Sequence, residues 1–436
     1  MKQEKIHLIG IGGIGVSALA RHFLFGGASV SGSDLAHSEI TGELEKLGAA
    51  IFIGKHKKSS IPKGTTRVIY TPAVNPDNSE YREAKLKRIR MQSYPEAIGE
   101  LSRDFTTITV SGSHGKSTTT ALSAFVLEEG YFDPTVIIGT KVKEFGNSNF
   151  RRGQGPYLLL EADEWNKSFL NYSPTIAMVT NIDSEHLDTY QRVEEVEKTF
   201  AEYLSRVPAG GKIIANRDDP RLYGVAGKFK KKVVWYSLKD KEAETVRKIL
   251  RVPGEHNVSN GLAALKLGRV LGIPETAILQ GLSRFTGTWR RFEFRGTLNG
   301  AYVFDDYGHH PAEIIATIKA ARSRFPFRRI WCVYQPHQYQ RLNYLWGGFV
   351  TAFDLADRVC LLPVYDVAGR ETKKAKRAVN SEKLARALLA RGKNARYLKG
   401  FAQARLYLTE AVHSGDIILI MGAGDIYALT NQLFPS

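Results

Sequence analysis

Cysteine is nearly absent from this chain, with two in 436 residues, Cys332 and Cys360. Both sit in apolar, strand-like runs (RRIWCVYQP and DRVCLLPVY) with no Cys/His partner at a metal-binding spacing. That argues against a disulfide scaffold or a zinc site and predicts two buried free thiols. Long apolar runs are also missing: no stretch approaches the roughly 20 residues that span a bilayer. MKQEKIHLIG enters a strand without an export-type leader, so membrane insertion is not expected and a cytoplasmic location is. Acidic residues are in deficit, 44 against 61 Lys+Arg, for a net charge of +17. The surplus is spread along the chain, in short clusters such as KHKK at 55–58, and no nucleic-acid-binding motif accompanies it. It therefore reads as a solvated basic surface. A DNA- or RNA-driven ATPase would rest on the charge alone. Repeats and low-complexity tracts are absent as well. A composition 43% hydrophobic and 24% charged is that of a globular protein, and the length suits about three domains.

What is present is concentrated in DFTTITVSGSHGKSTTT, residues 104–120. The β-branched run Thr106 to Val110 ends in Gly112-Ser113-His114-Gly115-Lys116-Ser117, and a helix-compatible stretch follows. Strand, glycine turn and helix in that order aim backbone N–H groups and a helix N-terminus at phosphates. Lys116 supplies a point charge to them, and the Ser117 hydroxyl suits Mg²⁺. Val110 stands where the usual G-x-x-x-x-G-K-S loop has its first glycine, so this is a shortened form. The chain is expected to bind a nucleoside triphosphate.

Three segments each begin with a strand. Residues 5–10 (KIHLIG) run into Gly10-Ile11-Gly12-Gly13-Ile14-Gly15, then a small-residue helix over 16–25 and a strand ending at Asp34. This is the G-x-G-x-x-G pattern with a following acidic residue. Gly12 lets the backbone approach a diphosphate, and Asp34 is placed to bond a sugar hydroxyl. Taken alone, the pattern fits an NAD-dependent dehydrogenase equally well. A strand at 68–70 and a charged helix over 79–90 complete the segment, which closes near residue 100. The second segment has apolar central strands at 157–160 and 175–180 and a helix at 257–271. The third begins after Phe285-Thr286-Gly287 and alternates strand and helix: 301–305, 311–324, 328–334, 341–355, 358–363, 381–391 and 416–421. It closes with Gly422-Ala423-Gly424-Asp425 and a short helix. The expected domains are 1–100, 101–287 and 288–436, all α/β.

Carboxylates and imidazoles gather where these strands end. Glu161-Ala162-Asp163-Glu164 follows one central strand, and Glu161 can hold Mg²⁺ beside the phosphates. The next strand ends in Asn181-Ile182-Asp183-Ser184-Glu185-His186-Leu187-Asp188, where His186 reads as a site residue. In the third segment, Asp305-Asp306-Tyr307-Gly308-His309-His310-Pro311 and Gln335-Pro336-His337-Gln338-Tyr339-Gln340-Arg341 end successive strands and suggest one substrate-facing rim. A metal site at His309 and His310 is the weaker reading, since adjacent residues rarely face one ion.

These blocks resemble the Mur ligases over essentially the whole chain. HLIGIGGIGVSALA with GSD, GSHGKSTTT, EADEWNKSFL, VTNIDSEHLDTY, PGEHNVSNGLAAL, FTGTWRRFE, DDYGHHPAEI, QPHQYQR and the terminal GAGDI each resemble family blocks, in family order. The resemblance implies a UDP-sugar-binding Rossmann-like domain, a central P-loop ATPase domain and a C-terminal Rossmann-like domain. It also implies ATP-dependent ligation, with Mg²⁺, of L-alanine to the carboxylate of UDP-N-acetylmuramate in peptidoglycan precursor synthesis. On this reading Gly12, Gly13, Ile14, Gly15, Asp34 and Thr71 hold the UDP-sugar. ATP is held by Gly112, Ser113, His114, Gly115, Lys116, Ser117, Thr118 and Asn257, with Arg291 and Asp306 closing on it. Ser117, Glu161 and His186 bind Mg²⁺. Lys116, Glu161, His186, His309 and Arg341 carry the catalysis, the last two orienting the amino acid. Gln338 stands where the alanine-adding pattern has arginine, and Trp165-Asn166-Lys167 alters the stretch after EADE. Lys198 does not match the spacing of the family's carbamoylated lysine. A murein-peptide ligase, which attaches a whole peptide, is the nearest alternative, and there a different rim is expected at Tyr307 to His310.

Overall fold

The computed structural model describes residues 4–183, 190, 192–230, 232–366 and 373–434. The fold is α/β, with three sheets among the described residues. It divides into two compact units, residues 1–249 with 259–285 and residues 250–258 with 286–436.

The first unit holds two sheets. One comprises β1 (Lys5–Ile9), β2 (Ser29–Asp34), β3 (Ala50–Ile53), β4 (Arg67–Tyr70) and β5 (Arg90–Ser93), all parallel, in the order β3-β2-β1-β4-β5. The order reverses between β1 and β4, and a ligand crevice forms outside the strand ends at such a reversal. The other sheet comprises β6 (Thr106–Ser111), β7 (Thr135–Val142), β8 (Ser148–Arg151), β9 (Tyr157–Glu161), β10 (Ile176–Val179), β11 (Lys212–Asn216) and β12 (Val233–Tyr236). Its order is β12-β11-β10-β6-β9-β7-β8, parallel except for the β7–β8 hairpin. Ile108, Val110, Leu158 to Leu160 and Ala177 to Val179 are fully buried, as apolar runs must be in a parallel sheet covered on both faces. The β7–β8 hairpin ties the two sheets together. Asn149 Nδ2 donates to the Ile14 carbonyl and to Ser17 Oγ (3.1 Å), and buried Lys141 bonds Glu39 (2.9 Å) and Glu43 (3.2 Å).

The second unit is built on β13 (Glu293–Leu298), β14 (Ala301–Asp306), β15 (Ile330–Tyr334), β16 (Arg358–Leu361), β17 (Ala395–Tyr397) and β18 (Ile417–Met421). The order is β13-β14-β18-β15-β16-β17, with only β13 antiparallel. Cys332 and Cys360 are buried free thiols on β15 and β16. Burial pushes both thiols up from their ordinary pKa, so they are packing groups.

Some elements differ from the sequence reading. The charged stretch 79–90 is a helix only over Ser79–Leu86, and Arg90 opens edge strand β5, paired with β4. Parallel pairing overrides helix propensity there. The expected helix at 341–355 is two short ones, Tyr339–Tyr344 and Trp346–Thr351, broken at Leu345. Strands β13 and β17 had no clear sequence signal, because both lie at sheet edges and are only partly buried.

Candidate active site

In the first sheet the glycine loop links β1 to the helix Ile14–Phe25. Gly10 has φ +79°, and a Cβ there would lie 2.5 Å from Thr71 Cγ2, so the turn needs glycine. Gly12 N–H donates to Asp34 Oδ2 at 2.8 Å, and Leu35 N–H donates to Oδ1 at 2.8 Å. Asp34, expected to bond a sugar hydroxyl, here braces the glycine loop through both carboxylate oxygens. Gly13 starts the helix, and Gly15 passes so close to Tyr94 that a Cβ would sit 2.8 Å from its ring. Behind the strand ends lies a network that sequence reasoning missed. Buried Glu80 accepts from His7 Nε2 (2.9 Å), Ser33 Oγ (2.7 Å) and His56 Nδ1 (3.0 Å). Burial pushes its carboxyl up, but these hydrogen bonds outweigh burial and hold it below its ordinary value. His7 and Glu80 are too far apart in sequence for any local pattern to reveal the pair.

The second sheet brings three loops to adjacent strand ends: GSHGKS after β6, EADE after β9 and TNID after β10. Gly112 (φ +129°) and Gly115 (φ +83°) take left-handed conformations, and Gly115 caps the helix Lys116–Glu129. A Cβ at Gly112 would fall 2.2 Å from Thr180 Oγ1, and one at Gly115 would fall 2.6 Å from Asn260 Oδ1. The loop is pinned from β10. Asn181 Oδ1 accepts from His114 N–H (2.8 Å), Asn181 Nδ2 and Thr180 Oγ1 donate to the His114 carbonyl (3.0 and 2.6 Å), and Ser113 Oγ accepts from Asp183 N–H (2.8 Å). Asn181 was read only as part of a polar cluster; its role as the loop's strut needed the β6–β10 pairing.

Lys116 lies at the helix start, with Nζ donating to the carbonyls of Gly112 (2.7 Å) and Ser113 (3.3 Å) and to Glu164 Oε2 (3.0 Å). Asp163 Oδ1 is 3.7 Å away. Ser117 Oγ donates to Glu161 Oε1 (2.9 Å), and Gly139 N–H donates to Oε2 (2.7 Å). Burial pushes the Glu161 carboxyl above its ordinary range. A hydroxyl and a carboxylate in contact beside a phosphate-type loop are hard oxygen donors that suit Mg²⁺. The N-terminal turn of the helix Lys116–Glu129, where backbone N–H groups point along the helix axis, suits a phosphate. The remaining expected ligand, His186, lies outside the described residues, as does Glu185.

In the second unit Asp306 ends β14 and His309 follows it, Arg341 lies on the helix after β15, Arg291 precedes β13, and Asn257 belongs to the segment 250–258. Asp306 is buried; its carboxylate accepts from Phe292 N–H (2.9 Å), Gly308 N–H (2.8 Å) and Thr317 Oγ1 (3.2 Å), and burial pushes its pKa up. It shapes the turn that carries Arg291, whose guanidinium lies 5.2 Å from the Tyr307 ring centroid and 3.7 Å from Glu313. The neighbouring Arg290, unremarked in the sequence, is fully buried. It donates to Asp305 (3.3 Å) and to the carbonyls of Gly422 and Gly424, tying the WRRFE, DDYGHH and GAGD blocks together. His309 N–H donates to Glu313 (2.9 Å), while His310 caps the helix Pro311–Arg324 by accepting from Ala312 N–H (3.3 Å). Arg341 Nη1 donates to His337 Nδ1 at 3.2 Å. Asn257 Nδ2 donates to the Pro253 carbonyl at 2.6 Å.

Comparison with known proteins covers nearly the full chain. Residues 5–106 match the Mur ligase family catalytic domain, 110–268 the Mur ligase middle domain and 290–424 the Mur ligase glutamate ligase domain. The UDP-N-acetylmuramate–L-alanine ligase of Pelobacter propionicus is 41% identical, over 98% of this chain and 96% of that protein. The enzyme of that name from Alkaliphilus metalliredigens is 38% identical, over 99% and 97%. Among solved structures, the UDP-N-acetylmuramate-alanine ligase from Thermotoga maritima superposes with a TM-score of 0.82 at 28% identity, covering 98% of each chain. A murein peptide ligase from Psychrobacter arcticus shares the fold, with a TM-score of 0.70 at 22% identity over 99% of this chain and 98% of that one.

Proposed function

The chain belongs to the Mur ligase family, and from that premise we infer that it joins L-alanine to the lactyl carboxylate of UDP-N-acetylmuramate at the expense of ATP. The observation that carries the reading is the loop at the end of β6, with Lys116, Ser117 and Glu161 converging beside a helix N-terminus. Full-length relatives named for this reaction supply its substrates.

Amide formation from a carboxylate and an amine is uphill in water, so the carboxylate is first activated. One carboxylate oxygen attacks the γ-phosphorus of ATP, the bond to the bridging oxygen breaks, and ADP leaves an acyl phosphate. The amine of L-alanine then adds to the carbonyl carbon, and the tetrahedral oxyanion collapses with loss of phosphate. Two anions must meet in the first step. Lys116 exchanges its carbonyl and Glu164 contacts for phosphate oxygens, and the helix N-terminus adds a positive field. Ser117 and Glu161, with His186, hold Mg²⁺, which when bound screens the charge on the phosphates. The glycine loop braced by Asp34 takes the UDP diphosphate. Arg291 and Asp306 belong to the ATP closure, and His309 and Arg341 orient the amino acid. The domain limits on this reading are 1–100, 101–287 and 288–436. No helix among the described residues is long and apolar enough to cross a membrane; a cytoplasmic location is part of the proposed reading.

The test is phosphate release from ATP and UDP-N-acetylmuramate with each amino acid supplied in turn, alongside L-alanyl-γ-D-glutamyl-diaminopimelate. Release dependent on L-alanine is expected. Faster release with the tripeptide would instead make the chain a murein-peptide ligase.

A further inference from the structure

In the first unit the two glycine loops are tied to one another by the β7–β8 hairpin. Asn149 on β8 donates to the Ile14 carbonyl and to Ser17 Oγ, in the helix that follows the first loop. On β7, Gly139 N–H holds Glu161 beside the second loop, and Lys141, two residues on, bonds Glu39 and Glu43 in the helix Glu39–Lys46. Tyr94 occupies the seam between the two. It is the first residue of the helix Tyr94–Leu101, whose start is set by Pro95 and by Glu96, which accepts from Ser93 N–H and Ser93 Oγ (both 2.7 Å). The far end of that helix is fastened to the second sheet. Ser102 Oγ accepts from Ser173 N–H (3.1 Å), and a Cβ at Gly99 would fall 2.3 Å from the Asn171 carbonyl oxygen.

The Tyr94 ring packs on the apolar core of this unit, while its tip meets the end of the first glycine loop. A Cβ at Gly15 would fall 2.8 Å from Tyr94 Cζ and 3.0 Å from the hydroxyl oxygen, so glycine is needed there to admit the phenol. Burial first, and then the charges of Glu161 and Asp163, push the phenol above its ordinary pKa, so the hydroxyl keeps its proton and stays a donor. Tyr94 is only partly buried, and its hydroxyl makes no hydrogen bond among the described residues. A phenol packed at its base and unsatisfied at its tip takes its acceptor from water or from a ligand.

On the ligase reading above, on which this inference rests, UDP-N-acetylmuramate must cross this seam. Its diphosphate lies on the loop that ends at Gly15, and its lactyl carboxylate reaches the γ-phosphate beside Lys116, Ser117 and Glu161. One oxygen of that carboxylate attacks phosphorus, which leaves the other to accept a hydrogen bond. We propose that Tyr94 is a substrate-binding residue whose hydroxyl donates to the lactyl carboxylate of UDP-N-acetylmuramate. A neutral O–H steadies the carboxylate in its attacking position without adding a charge among those of Lys116, Glu161 and Asp163.

Calorimetric titration of the full-length wild type and Tyr94→Phe tests this, with UDP-N-acetylmuramate, UDP-N-acetylglucosamine and UDP as ligands. Tyr94→Phe keeps the ring and its packing, so its Tm should match wild type. Its affinity for UDP-N-acetylmuramate should fall about tenfold, the loss expected for one hydrogen bond to a charged acceptor. UDP, and UDP-N-acetylglucosamine, which lacks the lactyl group, should bind both proteins within about twofold of one another, and the KM values for ATP and L-alanine should also hold. The proposal is overturned if Tyr94→Phe binds UDP-N-acetylmuramate as tightly as wild type. An equal loss with UDP or UDP-N-acetylglucosamine overturns it too, by placing the contact away from the carboxylate. So does a lowered Tm with every substrate weakened, which would make Tyr94 a packing group. A wild-type protein that does not bind UDP-N-acetylmuramate overturns the ligase reading and this proposal with it. Use of a peptide in place of L-alanine changes the acceptor alone, and the same titrations still decide for or against Tyr94.

Discussion

Lys116 and Glu161 illustrate how single side chains are prepared for charge. Lys116 Nζ rests on two carbonyls and a buried carboxylate, Glu164, whose side chain is 1% exposed. A lysine so neutralised stays charged when desolvated and can shift to phosphate oxygens over a short distance. Lys116→Ala should lower kcat by about a hundredfold or more while leaving UDP-N-acetylmuramate affinity intact, measured by turnover and by calorimetric titration of the sugar nucleotide. It also removes the ion pair between Lys116 and the buried Glu164 carboxylate. A fall in Tm is expected beside the kinetic loss, and Lys116→Met should show the same fall. Glu161 is different: burial favours its protonated form, while the Gly139 N–H, the nearby Lys116 charge and the Ser117 hydroxyl favour the carboxylate. Glu161→Gln keeps the shape but weakens a cation ligand. Activity titrated against Mg²⁺ should require about tenfold more of the ion, and an unchanged midpoint would reduce Glu161 to a brace for the β7 backbone.

At the scale of elements, the loop between β6 and the helix Lys116–Glu129 owes its form to glycine and to Asn181. Gly115→Ala imposes a left-handed alanine, worth about 1–2 kcal/mol, and pushes a methyl into Asn260. The expected outcome is a lower Tm together with a raised KM for ATP, read from a melting curve and ATP kinetics. KM for the sugar nucleotide should not move, because its loop follows β1. Asn181→Ala in the same assays separates the strut from the turn. It removes both bonds to His114 but leaves the backbone angles free to form, so a smaller loss is expected. The helix at 341–355 shows the converse case. Its periodicity suits one helix, yet the chain breaks at Leu345, ahead of Gly347 and Gly348, which weaken helix continuation.

For the whole molecule, specificity rests on a small acceptor. One methyl is worth only about 1–3 kcal/mol of discrimination, so glycine and L-serine should be used more slowly but not refused. Arg341, which contacts His337, is the proposed charged anchor for the acceptor carboxylate. Arg341→Ala should therefore raise the KM for L-alanine by about a hundredfold, leaving the other two substrates alone. Equal alanine kinetics in the variant would remove the anchor from this site.

The sequence by itself determined the element order through the apolar strands, the two glycine loops and the carboxylate-bearing strand ends. Those signals are local, set by period, turn chemistry and spacing. It therefore revealed GSHGKS, EADE and the His-rich rim, and the family blocks made their sum specific. Tertiary structure decided everything that depends on strand order. Only the β10-β6-β9 pairing sets Glu161 against Ser117 and Asn181 against His114. Only the β14-β18-β15-β16 order brings Gly422 and Gly424 to Arg290, and Tyr365 to His337. Glu80 meets His7, Ser33 and His56 for the same reason. Buried polar groups must find partners wherever the chain's packing brings them, and sequence distance carries no record of that constraint.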